Sequence, residues 1–138
     1  MTITHDATLT TSNSYRRRRA ELMQYFDATA AETWARLTSD APVSKVRETV
    51  RNGRDAMRGL LLGWLPEDIA GARILDAGCG TGALSIELAR RGAQVLAIDV
   101  ARSLVEIAEK RSRDQLTADE AGQIGWLAGD MLDPTLGR

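Results

Sequence analysis

The sequence predicts an α/β protein, the front half of a doubly wound parallel sheet preceded by a two-helix arm. Three observations carry this. From Arg73 onward, short apolar runs alternate with longer helical patterns, in the order strand, helix, strand, helix, strand. That order builds parallel sheets with right-handed crossovers. The first strand runs directly into Asp76-Ala77-Gly78-Cys79-Gly80-Thr81-Gly82, with a glycine at every second position from Gly78. Ahead of the sheet, two amphipathic stretches separated by Ser39-Asp40-Ala41-Pro42 read as helices.

Residues 1–14 are rich in Thr and Ser and aperiodic, and read as a disordered tail. The arm spans residues 15–66. Its first helix covers 16–37, where Leu22, Tyr25, Phe26, Thr29, Ala30, Trp34 and Leu37 recur at steps of three and four. Pro42 cannot continue a helix, because it lacks the N–H that the next turn needs. The second helix runs from about Val43 to Leu62, with Val43, Val46, Val50, Gly53, Met57 and Leu60 as its stripe. Pro66 and Gly71 lead into the α/β part, residues 67–138. There the strands are 73–77, 94–99 and 124–128, and the helices 82–91 and about 101–116, the latter with Leu104, Ile107 and Ala108 facing inward. Three parallel strands leave an apolar edge unpaired. The stretch therefore reads as the first part of a longer protein, continuing past a loop that opens at Asp133-Pro134.

Bulk properties narrow the class. In 138 residues, hydrophobic side chains make up 43%, enough for one modest core. The net charge of −1 argues against generic nucleic-acid binding. Residues 1–63 carry 10 Lys/Arg against 7 Asp/Glu, whereas residues 64–138 carry 8 against 12, so any affinity for anions belongs to the front. Cys79 is the sole cysteine, which excludes an internal disulfide and points to a reducing, cytoplasmic compartment. No apolar run spans a bilayer and no secretion signal opens the chain, so contact with a membrane would be peripheral.

The glycine turn holds the chemistry. Glycines let a chain turn sharply and let a ligand touch backbone. A helix N-terminus behind such a turn offers free N–H groups to a carboxylate or phosphate. Gly78, Gly80 and Ala83 also fit the dinucleotide pattern G-x-G-x-x-[GA], a weak match taken alone. Asp76 opposes that reading: at the end of the first strand a carboxylate repels a pyrophosphate but attracts a sulfonium cofactor carrying an ammonium group. Gly82, a third alternating glycine, and the long helical stretch before the first strand point the same way. S-adenosylmethionine is thus the expected cofactor. Asp99, 21 positions after Gly78, is placed to accept from both ribose hydroxyls, or else merely opens the next helix. Asp130 ends the third strand on the same rim and could accept from the adenine amino group, with Val100 and Met131 as apolar walls for the ring. Cys79 is counted with the cofactor loop as a small residue that fits the bend; no base in its sequence neighbourhood would make it a nucleophile. His5, the only histidine, lies in the tail, and no metal site is assigned.

The arm bears Arg16–Arg19 at its start and Arg47, Arg51, Arg54 and Arg58 as a stripe on its second helix. Solvated helix faces are the commoner use of such runs; contact with an anionic membrane surface or with substrate carboxylates is the functional alternative. Tyr25, Phe26 and Trp34 share one helix, either for packing or as a flat apolar lid over a planar ligand.

Taken together, Tyr25-Phe26-Asp27, Ala31, Trp34-Ala35-Arg36, the Val46–Met57 helix with Gly53-Arg54, and Ile74–Gly82 resemble the magnesium-protoporphyrin IX O-methyltransferase family of chlorophyll and bacteriochlorophyll synthesis, in its bacterial form. The resemblance covers about residues 15–138. It implies a class I methyltransferase, Rossmann-like sheet of seven strands with a helical arm over the active site. It also implies cofactor contacts at Asp76, Gly78, Gly80, Gly82, Asp99 and Asp130, and a candidate active-site role for Tyr25. The expected reaction moves a methyl group from S-adenosylmethionine to a porphyrin propionate. The expected partners are magnesium-protoporphyrin IX, a membrane surface and other enzymes of the pathway, with no nucleic acid. The family's candidate catalytic histidine, its later strands and most of its substrate pocket would lie beyond Arg138. Three other readings remain: another class I small-molecule methyltransferase, a dinucleotide-binding oxidoreductase, and a noncatalytic cofactor-binding fragment.

Overall fold

A computed structural model describes residues 13–133. The expected tail lies outside these residues except for Asn13 and Ser14, as do His5 and the stretch 134–138. The elements are α1 (Asn13–Gln24), a π-helical segment (Tyr25–Ala30), α2 (Ala31–Leu37), α3 (Lys45–Trp64), β1 (Arg73–Ala77), α4 (Ala83–Arg90), β2 (Gln94–Asp99), α5 (Arg102–Gln115), α6 (Ala118–Ala121) and β3 (Ile124–Ala128).

All three strands fall where the apolar runs placed them, and they form a parallel sheet in the order β1-β2-β3. The register sets Ile74 beside Val95 and Val95 beside Ile124, and Asp76 beside Ala97 and Ala97 beside Trp126. Two right-handed crossovers stepping in one direction put α4 and α5 on the same face. The rows Ile74–Val95–Ile124 and Asp76–Ala97–Trp126 face those helices. There Val95 and Ala97 are buried against Ile86, Leu88, Ala89 and Val105. The alternate row is less covered: Leu75 is 52% and Leu127 39% exposed. On α5, Leu104 and Ala108 point inward as the periodicity predicts, Val105 joins them, and Ile107 is half-buried.

The arm departs from expectation in two ways. The single helix expected over 16–37 is interrupted by the π-helical segment, a one-residue widening to which a three-to-four periodicity is blind. The second helix starts later than expected because Ser44 caps it, its side chain accepting from the Arg47 amide, and it runs on to Trp64 before Leu65-Pro66. Its apolar stripe is present, yet none of α3 is buried: Val46, Met57, Leu60 and Trp64 are all exposed. Helix α6 was not foreseen. It is nucleated by a reciprocal capping box between Thr117 and Glu120.

Candidate functional site

The site forms at the carboxyl ends of the three strands, where β1 gives way to α4. Gly78, Gly80 and Gly82 all have positive φ, of 77°, 54° and 85°. The turn is pinned to the neighbouring strand: the Gly78 and Cys79 amides both donate to the Ile98 carbonyl, at 2.8 and 2.9 Å. The Gly80 amide donates to Asp99 Oδ2 at 2.9 Å, and the Ala101 amide to Asp99 Oδ1 at 3.0 Å. Asp99 therefore shapes the turn itself. It does not cap α5 through the helix's N-cap position, which is Ala101. Each carboxylate oxygen still has a lone pair to offer a ligand hydroxyl. Helix α4 has Gly82 at its N-cap with no side-chain cap there; the Gly82 amide is used by the Cys79 carbonyl and the Ser85 amide by Asp76, which leaves the Ala83 and Leu84 amides for a ligand.

Asp76 lies on the helix-facing side of β1 and is 9% exposed, with Oδ2 accepting from the Ser85 hydroxyl at 2.7 Å. Burial pushes its pKa up, the Ser85 hydrogen bonds pull against that, and the Asp99 charge adds to the rise. Cys79 is buried too. Desolvation first, then the charges of Asp99 and Asp76, push its thiol up to about 12. A thiol shifted in this direction stays protonated near neutral pH, which works against a nucleophilic role.

Two cavities meet at this turn. The smaller, of about 250 Å³, is lined by Gly78, Gly80, Ile98, Asp99, Val100, Gly129 and Met131 on the sheet side, and by Leu22, Phe26, Trp34 and Arg54 from the arm. The larger, of about 710 Å³, runs from Asp76, Cys79 and Thr81 out between α3 and α4. Of the residues singled out by sequence, the structure gathers Asp76, Gly78, Cys79, Gly80, Asp99, Val100 and Met131 around these cavities. Gly82 serves packing: a Cβ there would stand 2.8 Å from Trp126 and 2.9 Å from Ala108. Asp130 lines neither cavity. Its Oδ2 accepts from the Tyr15 hydroxyl at 2.7 Å, with Arg19 at 3.8 Å. The Tyr15 hydrogen bond, followed by that from the Leu132 amide, holds Asp130 below the usual carboxylate range, and the same Tyr15–Asp130 bond raises Tyr15. Tyr25 also lines neither cavity; it is 55% exposed and packs edge-on to Phe26.

Sequence reasoning missed the clasps that hold the arm over the rim. The Asp27 carboxylate accepts from the Ser103 amide at 2.9 Å and from its hydroxyl, so α5 is capped by a residue of the arm. At the far end of α2, Arg111 donates to the Ala35 and Thr38 carbonyls and to Thr38 Oγ1. Arg51 donates to the Arg36, Leu37 and Ala41 carbonyls. Two guanidinium forks thus serve the bare carbonyls and negative end of one helix. Thr81, in the glycine turn, donates to Thr38 Oγ1 at 2.8 Å, tying arm to turn.

Residues 74–137 match the family model described as a methyltransferase domain. A solved structure of magnesium protoporphyrin IX methyltransferase from Synechocystis PCC 6803, with S-adenosylhomocysteine bound, superposes with a TM-score of 0.77 at 30% identity, covering 81% of this chain and 51% of that one. This is a class I methyltransferase fold. Within the class, the likeness read from the sequence holds. Magnesium-protoporphyrin O-methyltransferase from Rhodobacter capsulatus is 49% identical over 127 residues, which is 91% of this chain and 55% of the relative. The enzyme of the same name from Synechocystis sp. is 34% identical over 94 residues, 67% of this chain and 41% of the relative. The chain spans about half the length of the curated relatives it matches.

In this methyltransferase fold, Asp27→Ala removes a cap that no residue of α5 can replace. We expect a loss of about 1–2 kcal/mol. A lower melting temperature together with faster amide exchange at Ser103 and along α2 would register it. Unchanged exchange at Ser103 would mean that the cap carries no weight.

Proposed function

We propose that this chain binds S-adenosylmethionine across the junction of the two cavities, with Asp99, Val100 and Met131 on one side and Asp76 and the start of α4 on the other, and serves its transfer of a methyl group to a propionate carboxylate of magnesium-protoporphyrin IX, giving the monomethyl ester. The observation that carries the reading is the glycine turn itself. An uncapped α4 N-terminus stands between a buried carboxylate, Asp76, and a second carboxylate, Asp99, that braces the turn. A Cβ at Gly78 would project into open space, so the backbone leaves room there for a ligand to lie against it. The 49% identity to the Rhodobacter capsulatus enzyme supports the porphyrin as acceptor.

The donor set fits this cofactor. Asp76 would accept from its ammonium group, the open amides of α4 would hold its carboxylate, and Asp99 would accept from the ribose hydroxyls. Val100 and Met131 would flank the adenine, and Cys79 would belong to the turn on which the cofactor rests. Asp130 would reach the adenine amino group on release from Tyr15. When bound, the cofactor supplies an already activated methyl group. A propionate is ionised near neutral pH, so the chain need not provide a base. Its task is to align a strongly hydrated nucleophile and keep water out. Phe26 and Trp34 roof the cleft and suit that role, and Tyr25 beside Phe26 is our candidate active-site residue on the arm. In turnover assays, Tyr25→Phe lowers kcat several-fold and leaves cofactor affinity alone; an unchanged kcat removes Tyr25 from the mechanism.

No helix among the described residues is long and apolar enough to cross a membrane. The lone, free thiol of Cys79 supports a cytoplasmic setting, and the exposed Arg17 and Arg18 support peripheral contact with an anionic membrane. The test of the whole reading is calorimetry with S-adenosylhomocysteine and NAD, followed by transfer of labelled methyl to magnesium-protoporphyrin with the metal-free porphyrin as comparison. Preferential NAD binding overturns the reading.

A further inference from the structure

We propose that Arg54 is the anchor for a second carboxylate of the methyl acceptor, the one that is not methylated, so that the site selects a dicarboxylate. This rests on the methyl-ester reading above and deepens it. The four arginines of the α3 stripe have different surroundings. Arg51 is spent on α2 carbonyls, and Arg58 pairs with Asp55 at 3.1 Å. Arg47 lines neither cavity. Arg54 lines both, and among the described residues no carboxylate lies within ion-pair distance of it. Its guanidinium carbon sits 4.5 Å over the ring of Trp34.

That posture is informative. A guanidinium lying on an aromatic face has its orientation set by the ring while its N–H edge stays available for a planar, bidentate acceptor. Trp34 in turn touches the turn, with its indole nitrogen 3.5 Å from where a Cβ of Gly80 would stand. The cation is therefore one side chain away from the cofactor loop, at the junction of the two cavities. It is not there to neutralise the site's own acids: Asp99 is turned to the Gly80 and Ala101 amides and Asp76 to Ser85. A cation in this position raises the cost of binding a sulfonium nearby, unless an incoming anion offsets it. The reacting carboxylate is the wrong anion for the task, because a bidentate guanidinium would withdraw electron density from the nucleophile. A second carboxylate, held by Arg54 while the first reaches toward the methyl group, satisfies both demands. The larger cavity, about 710 Å³, is roomy enough for a flat macrocycle between the two.

The test titrates the chain, saturated with S-adenosylhomocysteine, with magnesium-protoporphyrin IX and with its dimethyl ester, following the porphyrin absorbance band. The wild-type chain should prefer the diacid at least tenfold. Arg54→Gln should abolish that preference, Arg54→Lys should retain part of it, and added salt should erode it in the wild type. Both variants should still bind S-adenosylhomocysteine, which shows that the cleft is intact. A wild-type chain that binds diacid and diester alike, or binds neither, overturns the proposal, as does an Arg54→Gln variant that keeps the preference. Failure of S-adenosylhomocysteine to bind the wild type would instead overturn the methyl-donor reading itself.

Discussion

Asp76→Asn lowers affinity for S-adenosylhomocysteine by roughly 100-fold, since a charge-assisted hydrogen bond is worth about 1.5–3 kcal/mol. The substitution keeps the size of the side chain and an oxygen for the Ser85 hydroxyl to donate to, so the loss is one of charge. Binding should also depend on pH in the wild type. Asp76 titrates above the ordinary carboxylate value, chiefly through burial. Affinity for the ammonium-bearing ligand therefore falls as the pH drops through that raised pKa, before ordinary surface carboxylates protonate. The stability of the ligand-free protein runs the opposite way. A carboxyl whose folded pKa is raised is penalised when ionised, so its contribution is most favourable below its unfolded pKa and is lost as pH rises through the folded one. The wild type should thus gain stability relative to Asp76→Asn on acidification, while the variant's melting temperature matches or exceeds the wild type's at neutral pH. Calorimetric titration and thermal melts from pH 4 to 8 would check both. Equal affinity in the two proteins at neutral pH would remove Asp76 from the ligand site.

Gly82→Ala is expected to damage the fold rather than the chemistry. Gly82 has a φ of 85° and is the N-cap of α4. A Cβ there meets the Trp126 ring at 2.8 Å and the Ala108 Cβ at 2.9 Å, where neither neighbour can yield without disturbing β3 or α5. Left-handed backbone strain of about 1–2 kcal/mol adds to about 1–3 kcal/mol of overpacking. A total near 3 kcal/mol should lower the melting temperature by roughly 10 °C. Gly78→Ala provides the contrast. Its φ of 77° brings the same strain, but nothing lies within 4 Å of the new Cβ. It should cost only about 1–2 kcal/mol of stability while crowding the ligand. If both variants melt alike, the close approach at Gly82 is not what makes glycine necessary there.

These two glycines show what a sequence can and cannot display. Both were legible as members of one alternating motif, and both have the positive φ that such a turn needs. Their division of labour was not legible, because Trp126 and Ala108 reach Gly82 only through the crossover packing of α5 and β3. The acids follow the same pattern. Asp76, Asp99 and Asp130 were readable as rim residues because each ends an apolar strand. That Asp99 braces the turn through the Gly80 amide, and that Asp130 is held by Tyr15 115 positions earlier, depends on pairs with no periodic signature.

The arm is the sharper case. Its aromatic stripe was visible, but the clasp between Asp27 and Ser103, the two arginine forks on α2 and the isolation of Arg54 are facts of approach between distant segments. The signals available were slight: a serine at the start of α5 with no capping side chain before it, and arginines in excess of their local acids. The π-helical segment left no mark on the hydrophobic pattern.

The order of apolar runs, the glycine spacing and the acids at strand ends determined by themselves that this chain builds a parallel sheet with a cofactor turn, because strand pairing, backbone freedom and charge are local or periodic properties. Tertiary structure alone decided which groups are spent on holding the arm and which are left to meet a ligand. Burial and hydrogen-bond partnership arise only when residues far apart in the chain arrive at the same place.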